Sequence, residues 1–141
     1  MRPEPLDSAA VARTIPTELT PLVPAGRQVI ERYGESGFRV AGVIYRGSVL
    51  VFPDCTLPWS AVSASDVTWE SLAPVIEHGG VQILLLGVGR AMGGATPYAL
   101  RKTLHASGIV LEPMETGAAC RTYNVLVAED RHVAAALLPL C

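Results

Sequence analysis

Val81-Gln82-Ile83-Leu84-Leu85-Leu86, running into Gly87-Val88-Gly89-Arg90-Ala91-Met92-Gly93-Gly94, decides the fold of this chain. Five of the first six residues are apolar and do not alternate with polar ones, the pattern of a strand covered on both faces by helices. A helix does not fit, because Gly79-Gly80 before the run and Gly87/Gly89 after it leave too little length. Beyond the glycines, Thr96 offers an N-cap oxygen, Pro97 suits the first helical position because it has no N–H to leave unpaired, and Gly108 can take the left-handed conformation that ends a helix. The spacing predicts an amphipathic helix over Pro97 to Ser107. Leu100 and Leu104, with Pro97 and Thr103 beside them, form its apolar stripe, and Arg101, Lys102 and His105 face water.

Composition bounds the rest. A chain of 141 residues, 50% of them hydrophobic, has room for one domain with a sizeable core. A net charge of -2, with no run of Lys or Arg and few aromatics, argues against a nucleic-acid surface. The apolar runs fall short of the roughly 20 residues that cross a bilayer, so membrane insertion is not expected. Cys55, Cys120 and Cys141 are odd in number and widely spaced, which indicates neither a disulfide framework nor a zinc knuckle. A reducing, cytoplasmic setting is expected.

Residues 1–26 carry Pro3, Pro5, Pro16, Pro21 and Pro24 without sustained periodicity and read as a loose arm, leaving residues 27–141 as a single α/β domain. Glu4, Asp7 and Glu18 do not suit a mitochondrial presequence. From Gln28 to Pro53, short segments (Val29 to Tyr33, Gly37 to Val40, Val43 to Tyr45, Ser48 to Phe52) are broken by glycines, which predicts an antiparallel meander. Trp59, in the extended segment Leu57 to Val62, is expected to pack between that meander and the α/β half.

A short helix is expected over Trp69 to His78, regular only from about Leu72 because Pro74 interrupts it. His78 then sits at the negative end of the helix dipole. Ile109 to Met114 reads as a strand. Thr116 is expected to cap a third helix from Gly117 to Val127, turning Ala119, Thr122, Tyr123 and Leu126 to the sheet, and Val133 to Leu138 is the last strand. The expected architecture is a three-layer α/β fold: a small parallel or mixed central sheet flanked by helices, with an N-terminal antiparallel β meander.

The glycine-rich turn fails two motifs. Gly87 and Gly89 fit a dinucleotide fingerprint, but Met92 stands in the third glycine's place. Gly89, Gly94 and Thr96 fit a P-loop, but Ala95 stands where the phosphate-binding Lys belongs. What remains is a candidate anion site built from Gly87, Gly89, Arg90, Gly93, Gly94 and Thr96, using backbone N–H groups and the helix dipole. A tight strand-to-helix turn explains the same glycines. Cys120-Arg121-Thr122-Tyr123-Asn124 is the densest polar patch of the C-terminal half. Within it Cys120 is a candidate reactive thiol, favoured by the helix dipole and Arg121, or else a small buried hydrophobe. Arg121 and Asn124 are candidates for satisfying loop carbonyls or for contacting a partner. Glu112, Glu115, Glu129 and Asp130 form no pair suited to acid/base work. No catalytic residue, metal or cofactor is assigned.

Several stretches together resemble a known family: Gly47 to Pro53, Trp59, Leu84 to Gly89, Gly108-Ile109, Met114-Glu115-Thr116, Ala119 to Leu126, Glu129, Arg131 and Val133 to Leu137. These are similar to small α/β proteins of poorly defined function whose mitochondrial members are assembly factors for respiratory complex I, NADH:ubiquinone oxidoreductase. The likeness spans about Val29 to Leu138. It implies a small central sheet with helices and an added antiparallel layer, carries over no catalytic residue, and aligns this chain with the family's bacterial members. The leading expectation is therefore a non-enzymatic interaction domain with a protein partner in the biogenesis of a membrane-associated complex. Its contact surface would be the Gly87 to Gly94 loop and the Arg121/Asn124 region. The alternative is a protein that binds, or acts on, a small anionic metabolite at the glycine-rich turn.

Overall fold

A computed structural model describes residues 26–90 and 98–140. The expected arm, apart from Gly26, and the expected cap at Thr96 lie outside the described residues. The chain runs β1 (Ile30–Tyr33), β2 (Gly37–Val40), β3 (Val43–Arg46), β4 (Val49–Val51), β5 (Thr56–Pro58), a 3-10 turn (Ala64–Asp66), α1 (Ala73–His78), β6 (Ile83–Gly87), α2 (Tyr98–Ala106), β7 (Val110–Met114), α3 (Thr116–Ala128) and β8 (Val133–Leu137).

β1, β2 and β3 form an antiparallel meander. Its second hairpin is closed by Ala41 and Gly42, with φ of 49° and 81°. Positive φ at both central residues matches the twist of the flanking strands. The remaining strands form a five-stranded mixed sheet in the order β5-β4-β8-β6-β7, with β8 parallel to β6, β6 parallel to β7, and β4 antiparallel to β8. β4 is thus not a fourth strand of the meander, as expected from its place after Gly47. Gly47, at φ 83°, turns the chain out of one sheet and into the other.

β6 is the buried parallel strand its sequence predicts, with Leu84, Leu85 and Leu86 all buried. Its pleat sends Leu84 and Leu86 to one face, among Leu50, Phe52, Trp59, Leu72, Val75, Leu100 and Leu104. Leu85 points to the other, among Ile30, Phe38, Val40, Ala119, Cys120, Tyr123 and Val127. Helices α1 and α2 cover the first face, and α3 with the meander covers the second. Trp59 packs with α1 and α2, not against the meander, and its indole N–H donates to the Ser71 carbonyl at 2.8 Å. A buried indole follows its hydrogen-bond partner. Pro74 falls in the first turn of α1, where its missing N–H costs nothing, and the regular helix begins where that allows.

α3 turns Ala119, Cys120, Tyr123 and Val127 inward, while Thr122 and Leu126 are only half-buried. The expected face is displaced because the helix also packs against β1 on its flank. There, the Asn124 amide accepts from the Ile30 N–H at 2.9 Å and donates to the Ile30 carbonyl at 2.8 Å. The Tyr123 hydroxyl donates to the Gln28 carbonyl at 2.9 Å. Asn124 thus stands in for a neighbouring strand. Asn124→Ala is expected to lower stability by about 1–2 kcal/mol. Hydrogen exchange should quicken in β1 to β3 while β6 and β8 keep their protection; uniform loss across both sheets would contradict that role.

Candidate functional site

The exit of β6 is a packed junction. A side chain at Gly87 would stand 2.9 Å from the Thr116 hydroxyl and 3.0 Å from the Thr116 Cα, so only glycine lets α3 start this close to the sheet. Thr116 does not cap α3: Glu115 holds the N-cap position, and the Thr116 hydroxyl instead donates to the Leu138 carbonyl at 2.6 Å while accepting from the Gly89 N–H at 2.8 Å. The Val88 N–H donates to the Met114 carbonyl at 3.0 Å. Two main-chain donors that an anion would need are therefore spent inside the fold. Arg90 leaves the junction and pairs with Glu35 in the β1–β2 turn at 2.7 Å. Gly93, Gly94 and Thr96 of the candidate anion site lie outside the described residues.

Arg121 reaches the same turn from α3, donating to the Tyr33 hydroxyl at 2.9 Å, and the Tyr33 ring lies over Gly117. Arg90 and Arg121 therefore both converge on the end of β1, whereas Asn124 grips its beginning. Cys120 is 2% exposed. Burial pushes its thiol up to about 12, outweighing the pull of Arg121, so the sulfur is protonated at neutral pH.

Across the β1–β2 turn from these arginines lies the outer face of the meander. The register places Arg32 and Arg39 opposite each other, with Ile44 opposite Arg39 and Arg46 two pairs along, on the same face. These residues, with Tyr33 and Tyr45, line an open hollow of about 330 Å³. Arg39 pairs with Glu31 at 3.1 Å, and Ile44 is 72% exposed. Large apolar exposure ringed by arginines is the composition of a contact surface.

At the opposite end of the five-stranded sheet, where β6 and β8 begin, a second hollow of about 330 Å³ is lined in part by Arg27, Asp54, His78, Gly79, Asp130 and His132. His78 stacks on Phe52, with ring centroids 4.1 Å apart and planes 6° from parallel. Its Nδ1 lies 2.9 Å from the Gly79 carbonyl and its Nε2 2.7 Å from Asp54 Oδ1. Cys55 stands beside them, and the three side chains bring their ligand atoms within 4.8 Å of one another. This is the group among the described residues that could hold a metal ion. No sequence motif announces it: Asp54 and His78 are 24 residues apart and meet only because α1 returns along the sheet. The basic residue at the helix end, before Gly79-Gly80, was the one local signal.

Burial disfavours the His78 imidazolium, but the Asp54 hydrogen bond, the Gly79 carbonyl and the Asp54 charge together raise its pKa above the ordinary 6.5. The reciprocal hydrogen bond from His78 is the main reason Asp54 lies below its ordinary 3.8. The raised His78 stabilises the fold fully below about pH 6.5, and that contribution is lost as pH rises through its folded-state value. The lowered Asp54 contributes above its unfolded value of about 4 and loses its effect as pH falls through the folded one. A proton NMR titration of the metal-free chain should place the His78 midpoint above 6.5 and return it downward in Asp54→Asn; a midpoint at or below 6.5 in the native chain would contradict the pairing.

The model of the family described as "Protein of unknown function (DUF498/DUF598)" matches residues 30–138. The chain belongs to this family. An uncharacterized protein of Rhodobacter capsulatus is 38% identical over 117 residues, 82% of this chain and 88% of its own length. NADH dehydrogenase (ubiquinone) 1 alpha subcomplex assembly factor 3 of Xenopus tropicalis is 34% identical over 136 residues, 96% of this chain and 73% of its own. The crystal structure of an outer membrane protein from Bartonella henselae shares the fold with a TM-score of 0.74 and 38% identity, covering 81% of this chain and 96% of that one. The family resemblance and the three-layer α/β fold expected from the sequence both hold. Among the described residues no helix is long and apolar enough to cross a membrane.

Proposed function

We propose that the chain is an assembly-factor-like interaction protein that binds a protein partner during biogenesis of a membrane-associated respiratory complex, working from the cytoplasmic side. The observation that carries this reading is the 34% identity, across 96% of the chain, to a protein named as an assembly factor for NADH dehydrogenase. The contact surface proposed here runs from Arg90 and Arg121 at the β1–β2 turn onto the outer face of the meander at Ile44 and Arg46. Its chemistry supports the reading: an exposed aliphatic residue among arginines gives a partner both area to bury and charge to pair.

Deleting the gene in its own host should reduce the amount of assembled NADH:ubiquinone oxidoreductase resolved on a native gel, and the full chain should restore it. Ile44→Asp should fail to restore it while melting as the native chain does, because Ile44 is already largely in water. An unchanged amount of complex after deletion overturns the proposal.

A further inference from the structure

We propose that Asp54, Cys55 and His78 form a binding site for a divalent transition-metal ion of zinc-like chemistry, with a remaining coordination position open to the adjoining hollow. The donor set is the first ground. A carboxylate, a thiolate and an imidazole whose ligand atoms already lie within 4.8 Å of one another suit zinc, whose bonds to nitrogen, oxygen and sulfur run about 2.0–2.3 Å. Around such an ion the ligand atoms stand roughly 3.3–3.8 Å apart. Asp54 and His78, an oxygen and a nitrogen ligand with bonds of about 2.0 Å, need to part by only about 0.6 Å, and Asp54 projects from an exposed turn between β4 and β5. The sulfur selects against magnesium and calcium, which prefer oxygen-only surroundings.

The orientation of His78 is the second ground. Its Nδ1 faces a backbone carbonyl, the arrangement that fixes the tautomer of a metal-ligating histidine and leaves Nε2 as the ligating atom. Phe52 holds the ring plane by stacking, so Nε2 is aimed before any ion arrives. Without a metal, each ring nitrogen faces an oxygen acceptor, the setting of an imidazolium that holds both ring protons. An ion at Nε2 takes the place of one of them. Binding then releases the Nε2 proton and the Cys55 thiol proton to solvent, and leaves the carboxylate as it was. The hollow is the third ground. Its opening beside His78 leaves space for water or a further group at the ion, the arrangement of a metal site with an open position rather than a closed structural one.

This inference stands independently of the assembly reading. The test is titration of the reduced, chelator-treated full chain with cobalt(II), followed by zinc(II). Saturable equimolar binding is expected, with tetrahedral visible bands and a thiolate-to-cobalt charge-transfer band, all abolished by zinc. Cys55→Ser should lose the charge-transfer band and bind about tenfold or more weakly, and the exposed Asp54→Asn, which leaves packing untouched, should weaken binding similarly. Cys141→Ser should change neither. Absence of saturable cobalt binding, or a charge-transfer band that survives Cys55→Ser, overturns the proposal.

Discussion

Thr116→Val is expected to cost about 3 kcal/mol and lower Tm by about 10–15 °C in a domain of this size. The substitution preserves shape, so the loss comes from the hydroxyl alone. Thr116 is fully buried, and its oxygen serves two main-chain groups at once, accepting from Gly89 and donating to Leu138. Valine leaves both without this partner in a site water does not reach, and each stranded group carries a desolvation penalty of roughly 1–3 kcal/mol. Thr116→Ser keeps the hydroxyl and gives up only a methyl group, so its loss should be near 1 kcal/mol. Urea unfolding of the two variants separates the explanations: a serine variant as weak as the valine one would assign the effect to packing.

Ala135→Leu is expected to be of similar size, about 3 kcal/mol, for the opposite reason. Ala135 lies at the centre of the sheet, level with Val51 on one side and Leu85 on the other, and is buried beneath α3. A larger side chain has no empty volume to enter and must lift the helix. Lifting α3 also strains its attachment to β1 through Asn124. Unfolding by denaturant should show the loss, with a lowered midpoint and an unchanged slope. A midpoint within 0.5 M of the native value would mean that α3 rides higher than its contacts indicate, on the order of one methyl group of slack.

The local features of this fold were legible in the sequence, and the distant ones were not. The unalternating leucines of β6 and the Gly108 terminator, observed at φ 83°, follow from periodicity and backbone sterics within a few residues. The transfer of β4 out of the meander was hidden, because its partner is β8, more than 80 residues away in the chain. Thr116 reads as a helix cap from its position, yet the nearby Gly89 and Leu138 groups claimed its hydroxyl. Arg121 and Asn124 stand out as polar residues in an otherwise apolar half, and Arg90 as the cation of the glycine-rich turn. Their targets (Glu35, Tyr33 and the Ile30 main chain) lie in the N-terminal third and carry no local mark. The Asp54–His78 pair was missed for the same reason.

The place of β8 has a consequence for synthesis. Every other strand of the five-stranded sheet is translated earlier, yet β4–β5 and β6–β7 join only through β8. Until it emerges from the ribosome, the nascent chain holds two β pairs, each with an inner edge of unanswered amides and carbonyls. Completion of the sheet therefore waits on its central piece, and the interval is when a chaperone has most to protect.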